Sequence, residues 1–209
     1  LLQRGIDLNG INHICLTHFH IDHCGELPAL VFGRYNDHEY NWQSPLHIMG
    51  GPGLTSFWQH LCLTWPSLQK PYDEGLVVLD EICDGQTLSF DIWRITALKT
   101  DHKPESLAYK FEGCDRQIVI SGDMGPETNL TAFARNVDLL VLECAGGWEP
   151  LNGHLDIFNL AKIANITMPN MLVLTHFYPR HNIYALTMEL GKFYKGVCVA
   201  AHDLLILEV

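Results

Sequence analysis

Short apolar runs and amphipathic stretches follow one another along the chain, and each kind of pattern predicts a different element. The runs 139–142 and 171–174 are almost entirely apolar and have the length of buried strands. Apolar residues recur at helical spacing over 26–34 and 157–165, which predicts helices there. Strands and helices are therefore interspersed, without a sequence repeat or a linker. This order predicts a layered α/β fold with mixed sheets.

The same patterns give the boundaries of the other elements. The predicted strands cover residues 11–16, 46–49, 76–79, 87–90, 92–98, 107–111, 117–120, 139–142, 171–174, 197–200 and 204–207. The predicted helices cover residues 26–34, 54–63, 129–136, 157–165 and 183–194. We expect the strands over 76–79, 87–90 and 92–98 to run antiparallel, and the next two strands to form a hairpin around Gly113. A chain of 209 residues can bury a substantial core, so we expect residues 1–209 to form a single domain.

Side chains that commonly bind metals follow several predicted strands at their carboxyl ends. His102 comes after the strand over 92–98, and Asp123 and His176 follow two later strands in the same way. Open α/β sheets bind their ligands at this edge. The repeated placement therefore predicts one composite site.

The segment after the first predicted strand concentrates the same chemistry. It contains His18, His20, Asp22 and His23, which bring three imidazoles and a carboxylate together within six residues. These ligand types suit zinc, manganese or iron. A solvated histidine-rich loop is the alternative, but direct continuation from an apolar strand favours a metal site. One short loop cannot complete two metal shells, so further ligands are expected from elsewhere in the chain.

Charge and cysteine content exclude several classes of function. Lys and Arg total 13 against 24 Asp and Glu, and the net charge of −11 argues against a broadly basic nucleic-acid surface. No apolar run approaches the roughly 18 residues that a membrane-spanning helix needs, so we predict no membrane segment. Seven scattered cysteines without a CxxC pair argue against a disulfide framework or a four-cysteine zinc site. This usage suits a reducing compartment, and we expect a cytoplasmic protein.

The segment His18–His23, followed in order by His102, Asp123 and His176, resembles the metallo-β-lactamase superfamily. The resemblance implies an αβ/βα four-layer sandwich with mixed sheets and a dinuclear metal centre. Its two divalent ions are zinc by first choice, with manganese or iron also open. The resemblance assigns His18, His20 and His102 to one metal and Asp22, His23 and His176 to the other, with Asp123 as the bridge.

Several segments resemble one branch of this superfamily, the short ribonuclease Z proteins and related phosphodiesterases. The stretches 45–54, 121–123 and 153–155 are similar to theirs. Asp123 stands where the simplest zinc β-lactamases have cysteine, which disfavours a β-lactamase. The stretch 101–106 lacks the glycine-rich surroundings of the third histidine in glyoxalase-II-type thioesterases, which disfavours that branch. The implied activity is metal-dependent hydrolysis of a phosphodiester.

The resemblance also implies roles beyond metal binding. His154 matches a histidine that assists phosphodiester cleavage, and it is the candidate general acid for the leaving oxygen or a donor to the phosphoryl group. Asp22 is expected to help orient the attacking hydroxide. Glu143 is expected to orient His154 rather than to bind metal. Arg180 is either a donor to a substrate phosphate or part of a surface salt bridge, and both remain open.

Two features differ from the ribonuclease Z pattern. Only enough chain for a hairpin separates His102 from Asp123, where those proteins commonly carry a long flexible arm that grips tRNA. Together with the acidic net charge, this disfavours tRNA and favours a small phosphodiester or an RNA end. The family also has strands before the region that matches Leu1, so we expect the chain to be amino-terminally incomplete.

Two other functions remain open. A lactonase or other carboxylic-ester hydrolase would use the same metals, because one scaffold hosts many chemistries. A non-catalytic binding protein would keep the fold and a metal, which the intact ligand set disfavours. Family members are often dimers, so the resemblance implies a homodimer.

Overall fold

The computed structural model describes residues 2–37, 42, 44–90 and 92–209. The chain divides into two compact units, Leu1–Ile82 and Cys83–Val209. Each unit contains its own sheet and its own hydrophobic core. Among the described residues, none of the helices combines the length and the apolar character that crossing a membrane requires.

The first unit is built on a small parallel sheet with helices connecting its strands. The strands, in their order across the sheet, are β1 (His13–Cys15), β2 (Leu46–Gly50) and β3 (Val77–Glu81). The helices are α1 (Ile21–Cys24), α2 (Leu27–Asn36), α3 (Leu54–Thr64) and α4 (Gln69–Asp73), and 3-10 turns cover Leu2–Arg4, Leu8–Gly10 and Pro66–Leu68. The core contains the buried residues Val31, Ile48, Leu54 and Trp58. Burying an aliphatic side chain of this size contributes about 2 kcal/mol.

The pairing of β3 differs from the prediction. We expected this strand to run antiparallel to the two strands that follow it, but β3 pairs with β2 in parallel. The chain between β2 and β3 passes through α3 and α4, and such a crossover returns the next strand in the same direction. The prediction of antiparallel pairing was therefore wrong for β3, whereas the strands Thr87–Phe90 and Trp93–Lys99 do pair antiparallel, as predicted.

The second unit contains a mixed seven-stranded sheet. Its strands are β4 (Thr87–Phe90), β5 (Trp93–Lys99), β6 (Leu107–Gly113), β7 (Arg116–Ile120), β8 (Leu139–Glu143), β9 (Met171–Thr175) and β10 (Cys198–Ala200), and spatial order follows chain order. Neighbours from β4 to β7 are antiparallel, and neighbours from β7 to β10 are parallel. The helices are α5 (Leu130–Phe133), α6 (Ile157–Thr167) and α7 (Ile183–Phe193). The predicted mixed α/β fold is confirmed.

Two local features explain how this sheet forms. The predicted hairpin is present as β6–β7, and its turn contains Cys114 and Asp115 with φ of 51° and 58°. Helix α6 begins at the cap Asp156, whose carboxylate accepts from the backbone N–H groups of Phe158 and Asn159. That helix then packs its buried face, which includes Leu160, against the sheet's core.

The parallel half of the sheet positions the candidate site. In register, Ile120 of β7 pairs with Val141 of β8, and Glu143 of β8 pairs with Thr175 of β9. The carboxyl ends of these strands therefore lie at one edge, and the residues that follow them emerge there.

Two predicted elements were wrong in extent or type. Residues 204–207 form no strand, because the backbone N–H of Leu205 bonds to the His202 carbonyl in a turn and Leu204 has a φ of 66°. The helix predicted over 129–136 is limited to Leu130–Phe133.

Candidate metal centre

The His18–His23 segment continues directly from β1 in the first unit. Pairing with β2 extends one residue beyond the strand, because the Leu16 N–H donates to the Met49 carbonyl at 2.8 Å. His18 follows two residues later and is completely buried. The sheet therefore fixes the start of the segment.

The three imidazoles of the segment lie against one another. The ring of His18 is 4.6 Å from that of His20 and 4.1 Å from that of His23, measured between centroids. The His20 carbonyl accepts from the backbone N–H groups of His23 and Cys24, which closes the single turn of α1. Asp22 lies on the outer side of this turn with its side chain 60% exposed, and its Oδ2 is 3.6 Å from His23 Nε2. All four predicted ligands of the segment are thus neighbours.

His18 has a hydrogen-bond partner within the segment. Its Nδ1 is 3.2 Å from Thr17 Oγ1, and the direction of this bond depends on the tautomer of the ring. The tautomer in which Nδ1 donates leaves a lone pair on Nε2. A histidine that binds a metal through Nε2 requires that arrangement.

In the second unit, three histidines surround one buried carboxylate. Asp123 is only 2% exposed, and its Oδ2 lies 3.7 Å from His102 Nε2 and 3.9 Å from His154 Nδ1. Its Oδ1 lies 3.5 Å from His176 Nδ1. One ligand atom each from Asp123, His154 and His176 fall within 4.8 Å of one another. Such a cluster of imidazoles around a carboxylate is suited to hold a cation.

A backbone carbonyl sets the orientation of the His102 ring. His102 Nδ1 is 2.9 Å from the carbonyl oxygen of Gly153, which only accepts, so Nδ1 carries a proton and donates. In the neutral ring, Nε2 then has its lone pair on the side of Asp123. The ring is therefore held in the form that binds a metal.

A second buried carboxylate, that of Glu143, forms a hydrogen bond to His154. Glu143 is 1% exposed, and its Oε1 accepts from His154 Nδ1 at 2.9 Å and from the Met124 backbone N–H at 3.1 Å. Its Oε2 accepts from the Ala145 backbone N–H at 2.9 Å. Because Nδ1 of His154 donates to this carboxylate, Nε2 is the ring nitrogen left for other chemistry.

His176 follows β9 in an uncommon backbone conformation. Its φ is 57°, in the left-handed region that costs a non-glycine residue about 1 kcal/mol or more. Its ring stacks on that of His154, with centroids 5.7 Å apart and planes 14° from parallel. Strained residues of this kind cluster at functional sites.

Tyr178 is a residue of the site that sequence reasoning missed. Its ring lies 6.1 Å from that of His154 and 5.8 Å from that of His176. The guanidinium of Arg180, an exposed residue, lies 5.2 Å above the same ring. Within the part of the chain that the structure describes, Arg180 forms no ion pair, so the salt bridge considered from sequence is not found there. The sequence offered one signal for Tyr178: it is an aromatic residue two positions after a histidine that follows a strand.

The donor chemistry of both units fits a divalent transition metal. Imidazole and carboxylate suit zinc, iron and manganese, and all seven cysteines are free thiols. Burial raises the pKa of the Cys144 thiol to about 12, and the neighbouring Glu143 carboxylate adds to the rise. Cys144 is therefore protonated at neutral pH and is not a ready thiolate ligand. The residues present fit the metal ions that the family resemblance implies.

Comparison with known proteins identifies relatives. Ribonuclease Z from Mycobacterium sp. (strain KMS) is 28% identical over an alignment of 203 residues. The alignment covers 86% of this chain and 70% of that protein. The metallo-β-lactamase fold protein YhfI from Bacillus subtilis superposes with a TM-score of 0.79 at 22% identity, covering 96% of this chain and 78% of YhfI. The short form of human tRNase Z superposes with a TM-score of 0.67 at 20% identity, covering 97% of this chain and 81% of that one.

These likenesses confirm the predicted metallo-β-lactamase-like fold. A family model described as a β-lactamase superfamily domain matches residues 2–177, which is most of the chain. The chain therefore belongs to the β-lactamase superfamily, and its fold and homologues point to a metal-dependent hydrolase.

Proposed function

We propose that this chain is a phosphodiesterase in which both units work as one hydrolase domain on a pair of metal ions. The observation that carries the proposal is the buried Asp123 carboxylate with His102, His154 and His176 around it. Two divalent ions, zinc by first choice, would supply an activated water and hold a phosphoryl oxygen when bound.

The ligand assignment follows the family pattern residue by residue. One ion would be held by His18, His20 and His102, the other by Asp22, His23 and His176, and Asp123 would bridge them. The hydrogen bond from His102 to the Gly153 carbonyl supports its part in this assignment, because it leaves Nε2 as the metal-binding atom.

His154 is the proposed general acid. Its Nδ1 donates to Glu143, so Nε2 is the atom that would give a proton to the leaving oxygen. The Glu143 carboxylate accepts from Nδ1 and so orients the His154 ring for this transfer. Arg180, exposed beside Tyr178, would donate to a substrate phosphate oxygen. Asp22 would help to orient the attacking water.

A small phosphodiester or an RNA end is the proposed substrate. Two of the relatives carry the names ribonuclease Z and tRNase Z, which supports phosphodiester chemistry. Between His102 and Asp123, however, the chain forms only the β6–β7 hairpin, and the net charge is −11. Both features disfavour tRNA as the substrate.

The first experiment measures hydrolysis of bis(4-nitrophenyl) phosphate by the full chain loaded with zinc or manganese. We expect turnover that His20→Ala abolishes, because that change removes an imidazole next to His18 and His23. His60→Ala is the matched control, since the His60 side chain is exposed on α3 and bonds to the Ser56 carbonyl of the same helix. Two bound metal ions without turnover would contradict the phosphodiesterase proposal.

A second variant separates the two ester classes. We expect His154→Ala to lower phosphodiester turnover by about 100-fold or more, the usual effect of losing a general acid. His202→Ala, which removes an exposed histidine near the carboxyl terminus, should leave turnover unchanged. If His154→Ala loses no phosphodiester turnover, or if the chain opens lactones faster than it cleaves phosphodiesters, the carboxylic-ester alternative is favoured.

A further inference from the structure

The turn that carries His154 also contacts the predicted metal ligand His102. The backbone N–H of His154 donates to the Leu151 carbonyl at 3.0 Å, and Gly153 lies inside this turn with a φ of 73°. The carbonyl of Gly153 accepts from His102 Nδ1 at 2.9 Å. The rings of His102 and His154 are 4.8 Å apart between centroids.

Position 153 requires glycine for two separate reasons. The left-handed φ disfavours any residue with a Cβ, with Asn the most tolerant of them. In addition, a Cβ built on Gly153 would lie 3.0 Å from His102 Nδ1 and 3.6 Å from the His102 Cα. A side chain here would therefore push the His102 ring, to which the carbonyl bonds, aside by a few tenths of an ångström.

We infer that Gly153 is a positioning residue for the metal centre, through its carbonyl and through its missing side chain. The carbonyl holds His102 in the tautomer whose Nε2 binds metal, and the same turn places His154 one residue later. The orientation of a ligand and the position of the general acid are thus fixed by a single turn. This inference rests on the proposed function only in taking His102 as a metal ligand.

The inference predicts a specific loss of metal affinity. A partner that orients a metal-binding histidine typically changes metal affinity by about 10–100-fold when it is altered. We expect Gly153→Ala to fall within that range for zinc, measured by competition with a chelator. We also expect a changed visible absorption spectrum of the cobalt-loaded protein, because the angle of the His102 ring at the ion changes.

Gly85 provides a matched control for backbone strain. It lies in the same unit with the same φ of 73°, and a Cβ there meets no atom within 4 Å. Gly85→Ala should therefore cost some stability but leave zinc affinity and the cobalt spectrum unchanged. Asn tolerates the left-handed region, so Gly153→Asn relieves backbone strain while keeping the Cβ contact. It should remain as impaired in zinc affinity as Gly153→Ala.

An NMR measurement on the unaltered zinc-loaded protein tests the inference without any variant. The nitrogen chemical shifts of the His102 ring should report a proton on Nδ1 and coordination at Nε2. A proton on Nε2 would overturn the inference, and so would full zinc affinity in both Gly153 variants. The zinc affinity, the cobalt spectrum and the NMR shifts are all measured without a substrate. Absence of phosphodiester turnover would therefore contradict the proposed function but not this inference.

Discussion

The two sets of predicted metal ligands are built in different ways. In the first unit, His18, His20, Asp22 and His23 are contiguous, and the bonds that shape them come from within the segment, chiefly to the His20 carbonyl. In the second unit, the ligands and their supports come from separate strand ends. Glu143, for example, accepts from the backbone of both Met124 and Ala145.

Different interactions determine the geometry of the two sets. Short-range turn bonds arrange the contiguous set, whereas the register of β7, β8 and β9 arranges the dispersed set. The carboxylates differ in the same way, because Asp123 is almost completely buried and Asp22 is mostly exposed. Water can replace an exposed ligand but not a buried one. The carboxylate of the dispersed set should therefore be more sensitive to substitution than the carboxylate of the contiguous set.

The largest expected effect compares these two carboxylates. Asp123→Asn removes the charge that three imidazoles surround, so we expect zinc affinity to fall by more than about 100-fold. This loss exceeds the usual effect of changing a residue that only hydrogen-bonds to a metal ligand. Asp22→Asn should lower it by only about 10-fold, because water has access to that position. Titration of zinc against a chelator measures both.

The control for this pair is Asp115→Asn, which removes the same charge at the exposed turn between β6 and β7. Asn tolerates the left-handed φ of 58° found there, so zinc affinity should be unchanged. Equal losses in Asp22→Asn and Asp123→Asn would show that burial does not separate the two sets.

The second comparison concerns the residues that orient a histidine in each unit. Glu143→Gln weakens buried bonds to His154 and to two backbone N–H groups, so we expect a loss of about 1–3 kcal/mol in unfolding free energy. Thr17→Val removes one bond to His18 and should cost only about 0.5–1.5 kcal/mol. Urea denaturation of the metal-free chain measures both losses.

The control for Glu143→Gln is Asp138→Asn, at the opposite end of strand β8 from Glu143. Asp138 precedes β8 and accepts from the Gln117 backbone N–H in a partly exposed setting. We expect it to cost less stability than Glu143→Gln and to leave phosphodiester turnover intact. A larger loss from Thr17→Val than from Glu143→Gln would reverse the proposed ranking.

The positions proposed as metal ligands stand out in the sequence for a physical reason. Buried strands require apolar residues, so Asp123 and His176 stand out as polar residues immediately beyond such runs. The edge at which parallel strands end is a general property of α/β sheets, and it brings these residues together. The expected contact between Glu143 and His154 is also present, although their catalytic roles remain proposals.

The features that sequence reasoning missed depend on tertiary structure. The apolar pattern of residues 76–79 identifies a strand but contains no information about the direction of its partner, which the helical crossover sets. The apolar pattern of 204–207 resembles a strand equally well, yet a turn at Leu204 prevents pairing. Tyr178 belongs to no metal-ligand pattern, and only its ring contacts in the fold reveal it.

The smallest expected effect concerns an exposed charge in the first unit. Glu81, at the end of β3, accepts from the backbone N–H groups of Thr55 and Gly53 at the start of α3. Hydrogen bonds from Thr55 and then from Gly53 lower the pKa of Glu81 below its usual value. A lowered folded-state pKa stabilises the fold above the unfolded-state value, and this contribution is lost as the pH falls through the folded-state pKa.

Glu81→Gln should therefore reduce the unfolding free energy by about 0.5 kcal/mol at neutral pH, a small value because solvent screens this side chain. The difference from the unaltered chain should shrink towards zero as the pH falls through the lowered pKa of Glu81, measured by urea denaturation across the acidic range. Glu26→Gln, at an exposed residue before α2 that makes no side-chain cap bond, should show no such pH-dependent difference. A difference that stays constant or widens on acidification would contradict the capping role of Glu81. The first unit would then gain no stability from an exposed carboxylate, and the contrast with the buried carboxylate of Glu143 in the second unit would be lost.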